Sequence, residues 1–293
     1  MNLIDQVSKC TGLELKEINI LPARKGFAAK VEKQGVMMLL KAVELSEERE
    51  RSLQKEARIL QSLSNFTGDL YVAKGKVDGY FWLLRKWLDG KTATKQTIYI
   101  RENPTLLGNK RQFIADICQM LEKVVELYDL GYLHGDLQPG HFIFAPDGEM
   151  HLIDLELTVD SREPNPIYRG ALVHYVPPET AAGMLAGSQE IPLDAVSEIY
   201  SFGAVVFYLY TRVVPVAYSH SMEDPSYDFE FNDMLQAVRS GRVRSFAQAG
   251  ATPFAELEYI LQRCLETDRA KRYQSFSELL CMLEEINVMM DEA

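Results

Sequence analysis

The chain has 293 residues, 47% of them hydrophobic, and a formal net charge of −11. That length and apolar content allow one two-lobed enzyme or two modest domains and exclude a globally disordered chain. The acidic balance argues against a general nucleic-acid or anionic-membrane binder, while leaving room for a local basic patch.

Cys10, Cys118, Cys264 and Cys281 are widely separated and form no C-x-x-C pair, which predicts reduced thiols, no cysteine metal site and a cytoplasmic setting. The first residues carry no basic start and no long apolar run, so no signal peptide is expected. The most apolar segment, Phe202 to Thr211, is too short to span a bilayer.

In chain order, residues 17–21, 27–32 and 36–41 read as three strands, with Lys41 ending the third. A charged helix follows over 46–63, with Leu53, Ala57, Leu60 and Leu63 at helical spacing. Strands near 70–77 and 80–84 flank an Asp78-Gly79 turn. After Gly90 the pattern turns helical. Residues 111–130 carry Phe113, Ile114, Ile117, Met120, Leu121 and Val124, a broad apolar face suited to a central helix. Phe142-Ile143-Phe144 and His151-Leu152-Ile153 form short strands around Pro146-Asp147-Gly148, and helices are expected over 195–211, 228–239, 254–265 and 274–289.

The run His134-Gly135-Asp136-Leu137-Gln138-Pro139-Gly140-His141, followed by Ile153-Asp154-Leu155-Glu156, holds the chemistry. It puts two aspartates 18 positions apart, each on a short loop beside an apolar strand. One carboxylate facing a substrate hydroxyl and another holding Mg2+ on a nucleotide phosphate need such a placement. Either aspartate alone would pass for a solvated turn residue. The first run resembles the catalytic loop H-R-D-L-x-x-x-N of the protein kinases, and Asp154-Leu155-Glu156 resembles their D-F-G.

That resemblance covers residues from about 17 to 290. It implies an α+β, two-lobed protein kinase-like fold. Residues 1–88 would form a small antiparallel sheet with one helix, and residues 89–293 a larger, mostly helical lobe. It makes Asp136 the catalytic base or hydroxyl-orienting group. Asp154 becomes the Mg2+ ligand, and His141 stands where an asparagine usually holds a second metal. Lys41 would touch the nucleotide phosphates, braced by Glu56 fifteen positions later on the next helix. Lys86 and Leu88 would offer backbone groups to adenine, with Val31, Leu39 and Ile143 as apolar walls or as plain core. Tyr175-Val176-Pro177-Pro178-Glu179 resembles the end of an activation segment. Ser197-Glu198-Ile199-Tyr200 resembles the start of the helix that anchors the catalytic loop, and Arg272 would pair with Glu179.

The pattern also departs from the family. Only Gly26 remains of the phosphate-covering G-x-G-x-x-G; Arg24 or Lys25 would compensate with charge, or else the segment is a solvated hairpin tip. His141 favours Mn2+ over Mg2+ at the second site. Gln138 and Leu172 replace the lysine and threonine of serine/threonine kinases, Gly135 replaces the catalytic-loop arginine, and Arg85 stands at the gatekeeper position. His-Gly-Asp with Asp-x-Glu is similar to the aminoglycoside and choline kinases and to lanthionine-synthetase kinase domains. The expected function is ATP-dependent transfer of the γ-phosphoryl to a hydroxyl, on a protein or peptide rather than a small molecule. The alternative is a pseudokinase that binds without catalysis.

Overall fold

A computed structural model describes residues 2–23, 26–163, 168, 170–188, 191–218 and 230–292. Arg24 and Lys25 of the basic hairpin tip, and the start of the helix expected over 228–239, lie outside the described residues. The chain divides into two compact units, Met1–Asp89 with Ile153–Glu156, and Gly90–Leu152 with Leu157–Ala293.

The first unit opens with α1 (Leu3–Thr11), a helix the sequence pattern did not reveal. Asn2 caps it by accepting from the Asp5 N–H, and Gly12 ends it in the left-handed region. Strands β1 (Lys16–Leu21), β2 (Phe27–Lys33) and β3 (Val36–Glu44) follow, then α2 (Glu47–Ser62), α3 (Ser64–Thr67), β4 (Tyr71–Val77) and β5 (Tyr80–Lys86). The sheet order is β1-β2-β3-β5-β4, antiparallel throughout. Two strands run further than expected. β3 continues to Glu44, so Lys41 lies mid-strand between Ala28 and Leu83 rather than at an end. β5 reaches Lys86, because Met38 and Leu39 pair with Lys86 and Arg85.

Strand alternation sorts the side chains onto two faces. Ala29, Val31, Met38, Leu40, Ala42, Trp82 and Leu84 pack with Ile4 and Val7 of α1 on one face. The intervening residues Leu39, Lys41, Leu83 and Arg85 point to the other. Helix α2 packs against β3 and β5. Its N-terminus is capped by Ser46, which accepts from the Arg49 N–H, and Glu47, Glu48 and Glu50 complement the helix dipole. Its buried residues are Leu53, Ala57, Ile59 and Leu60, with Glu56 the one charge among them.

The second unit is helical around small sheets. It contains β6 (Lys91–Thr92), α4 (Ala93–Gln96), α5 (Ile98–Glu102), α6 (Leu107–Asp129), β7 (Tyr132–Leu133), β8 (Phe142–Phe144), β9 (Met150–Leu152) and β10 (Val159–Asp160). Helices α7 (Pro178–Leu185), α8 (Ala195–Thr211), α9 (Phe231–Arg239), α10 (Ala255–Cys264) and α11 (Phe276–Glu292) complete it. Buried on nearly every side, α8 reads as apolar all round. The apolar face of α6 meets α11, and α10 lies on α8. Among the described residues no helix is long and apolar enough to cross a membrane.

Candidate active site

In the first unit the Lys41 ammonium donates to three carboxylates: Glu56 Oε2 at 2.8 Å, Asp154 Oδ1 at 2.8 Å and Glu156 Oε1 at 3.0 Å. Strand alternation aims Lys41 at the α2 face, where Glu56 is 1% exposed. Asp154 reaches the ammonium from a left-handed backbone, φ 66°. Aspartate tolerates that region better than most residues, yet it costs roughly 1 kcal/mol or more. Such strain persists where the surroundings require it. Burial works against the charge on Lys41, but Glu56, Asp154 and Glu156 outweigh it and hold the ammonium above its ordinary value, with Arg85 opposing. For Glu56, burial pushes upward, Lys41 pulls down, and Asp154 and Glu156 push upward again, leaving the carboxyl raised.

The ligand oxygens of Glu56, Asp154 and Glu156 lie within 4.8 Å of one another. An all-carboxylate oxygen set suits a hard cation such as Mg2+ or Mn2+, and here an ammonium stands in the middle of it. The donor set therefore fits a divalent ion on chemistry. Glu156 carried no role in the sequence reading. Its signal was the second acid of Asp-Leu-Glu, and the turn after Asp154 brings it back to the same ammonium.

The second unit holds the loop of Asp136. Pairing of β7 with β10 sets its entry, Leu133 opposite Val159. Gly135 has φ 77°, and a Cβ there would stand 2.5 Å from the Leu157 carbonyl oxygen. The arginine of the family motif does not fit this backbone; glycine is a steric requirement. Three groups then pin the loop. The Gly135 N–H donates to Glu198 Oε1 at 2.6 Å, the Tyr168 hydroxyl donates to the Gly135 carbonyl at 2.7 Å, and the Asp136 N–H donates to His134 Nδ1 at 3.2 Å. Burial pushes Glu198 up to about 7, against the pull of the backbone N–H groups of Gly135 and His134. Burial, with the charges of Asp136 and Glu198, keeps the Tyr168 phenol protonated. The helix start that carries Glu198 is the one the resemblance expects to anchor this loop. Glu198 had a signal, an acid in the first turn of an apolar helix, but Tyr168 had none.

Gln138 Nε2 donates to Asp136 Oδ2 at 3.0 Å, so the residue in the lysine position still touches the aspartate, without charge. His141 Nδ1 lies 2.9 Å from the Asp136 carbonyl oxygen. That carbonyl can only accept, so Nδ1 carries the proton and Nε2 is the nitrogen a metal would use. Glu179 and Arg272 form the expected pair, bidentate, both bonds at 2.8 Å.

Of the residues expected around the base, Val31 and Leu39 lie on opposite faces of the sheet. Val31 faces α1 with Met38 in a closed apolar cluster, on the opposite face from Leu39 and Lys41. It cannot share a wall with Leu39, because the two-residue strand period puts neighbouring register rows on opposite faces. Lys30 takes that place opposite Leu39, its ammonium 4.3 Å from the Trp87 ring. Lys86 is exposed and its N–H donates to the Leu70 carbonyl at 2.8 Å. Leu88 is half-buried, and Ile143 is 8% exposed in β8. At Gly26, φ 96°, a Cβ would meet the Ala42 carbonyl oxygen at 2.3 Å, so close approach to β3 alone accounts for that glycine.

No family model matches the chain. It is 26% identical over 209 residues to a probable serine/threonine-protein kinase of Clostridium acetobutylicum, covering 70% of this chain and 28% of that protein. A serine/threonine-protein kinase of Schizosaccharomyces pombe is 24% identical over 168 residues, 53% of this chain and 25% of the relative. A probable serine/threonine-protein kinase of Clostridium perfringens is 22% identical over 253 residues, 82% of this chain and 32% of the relative. The chain thus spans about a quarter to a third of the length of these curated relatives.

Proposed function

Because the chain is protein kinase-like in sequence and fold, we propose that it is a phosphotransferase that moves the γ-phosphoryl of a nucleoside triphosphate, ATP on the resemblance, to a hydroxyl of a protein or peptide. The observation that carries the reading is the Lys41 ammonium held 2.8 Å from both Glu56 and Asp154. A lysine whose charge is maintained in a buried setting is placed to meet phosphate oxygens, and Glu56 keeps it oriented when Asp154 turns to a cation.

Asp154 would hold the divalent ion, with Glu156 beside it. The ion, when bound, offsets phosphate charge. Asp136 orients the acceptor hydroxyl and takes its proton, and Gln138 steadies that carboxylate. Catalysis on this reading is mostly positioning and charge stabilisation. A second reading, a non-catalytic binding module, is favoured by one observation: Lys41 already satisfies three carboxylates and needs no phosphate.

Label transfer from γ-labelled ATP and GTP, with Mg2+ and with Mn2+, across broad protein and peptide acceptors separates the two. Wild-type protein is expected to incorporate label and Asp136→Asn to lose it by roughly 10²–10⁴-fold. Equal incorporation by both would end the phosphotransferase reading.

A further inference from the structure

The face of the sheet that carries Lys41 also carries a row of three residues, Lys30, Leu39 and Arg85, opposite one another on β2, β3 and β5. Arg85 is 6% exposed, and its Nη1 donates to the Lys86 carbonyl at 3.2 Å. Lys86 is one of the two residues whose backbone groups the family resemblance offers to adenine. Here a guanidinium already occupies its carbonyl, and any group arriving there meets N–H donors. Adenine presents an amino donor beside N7, so donor would face donor, and a buried donor without a partner is costly. Guanine and hypoxanthine present O6 and N7, two acceptors at the spacing of a guanidinium fork. Lys30, over the Trp87 ring, puts a second cation at the far end of the same row. The charge on Arg85 is supported by Glu56 and Asp154 against the effect of burial.

We propose that Arg85 reads the base of the bound nucleotide and makes this site prefer a 6-oxopurine triphosphate over ATP. The proposal rests on the phosphotransferase reading and changes the base of its donor. It also gives further N–H donors of the arginine at the gatekeeper position acceptors, where an adenine nucleotide would leave the guanidinium facing an amino group.

Titration calorimetry on the full chain with Mg2+ and GTP, ITP or ATP tests it. GTP and ITP are each expected to bind about ten-fold or more tightly than ATP. Arg85→Met is expected to erase or invert that ratio. Arg85→Lys, which keeps the charge and loses the fork, is expected to fall between them, and it serves as the test if Arg85→Met does not fold. ATP binding as tightly as GTP to the wild type would overturn the proposal. So would a GTP preference that survives substitution of Arg85, or GTP binding well while ITP binds as weakly as ATP, since the 2-amino group would then be what is read. Each of those results leaves phosphoryl transfer standing. Only the absence of both triphosphate binding and label transfer overturns the two together.

Discussion

Two buried ion-pair sites in this protein are built on opposite principles. Arg272 is 0% exposed and meets a single carboxylate, Glu179, through two bonds of 2.8 Å. Its remaining N–H capacity goes to the carbonyls of Glu266, Thr267 and Val196, and its Cζ lies 5.0 Å from the centre of the Tyr200 ring. Every donor is satisfied and the charges balance, so the pair has no chemistry left to offer. Lys41 is the reverse. One ammonium serves three carboxylates, and the side chains of Asp154 and Glu156 are 35% and 33% exposed. The surplus negative charge lies on the two groups that water can reach. A saturated pair fixes geometry; an unbalanced, half-open one is ready to take a cation.

The largest expected effect tests the functional half of that contrast. Lys41→Met should lower phosphoryl transfer by roughly 10²–10³-fold. Its fold should survive, because Glu56, already pushed upward, takes a proton when the ammonium is gone. Label transfer within ten-fold of wild type would break the comparison. Arg272→Met should act on stability instead, by up to about 3 kcal/mol in urea denaturation, since it leaves Glu179 with only the Ser197 hydroxyl and the more distant Arg269. A loss below 1 kcal/mol would place Arg272 among ordinary surface charges.

Glu198 is the intermediate case, a fully buried carboxylate satisfied by backbone N–H groups. The folded chain holds its proton up to about 7, whereas the unfolded chain releases it near 4.5. Between those values the folded state binds more protons. The contribution is therefore present in full below pH 4.5 and lost as pH rises through 7. Unfolding free energies from urea titration, wild type minus Glu198→Gln, should fall over that window by on the order of 3 kcal/mol. A flat difference would remove Glu198 as a titrating anchor of the Asp136 loop. The smallest effect belongs to Glu156→Gln. Removing one of three crowded, partly exposed carboxylates should change stability by less than about 1 kcal/mol, and in the stabilising direction. A loss as large as that of Arg272→Met would show that the two sites are alike.

The motifs were legible because chemistry demands particular residue types. Asp136, Asp154, Lys41 and Glu56 stand out once their motifs are set beside the family they resemble, and the carboxylates of Glu56 and Asp154 meet the Lys41 ammonium at 2.8 Å. Long periodic elements were legible for the same kind of reason. Helix α8 occupies the expected 195–211, because a long apolar repeat admits few alternatives. Short elements such as α1 and β10 were not, since a turn or two of helix or a two-residue pairing takes its stability from neighbours rather than from its own pattern.

What the sequence by itself determined was therefore a set of candidate groups and the order of the elements that present them. What only the tertiary structure decided was direction. Strand alternation turns Val31 toward α1 and Lys30 and Arg85 toward the Lys41 face. A carbonyl 2.5 Å away forbids any side chain at 135. The turn after Asp154 returns Glu156 to the same ammonium. The side-chain period of a strand is two, so a single residue of register reverses which groups meet a ligand, and register is set by pairing between distant segments that no local pattern contains.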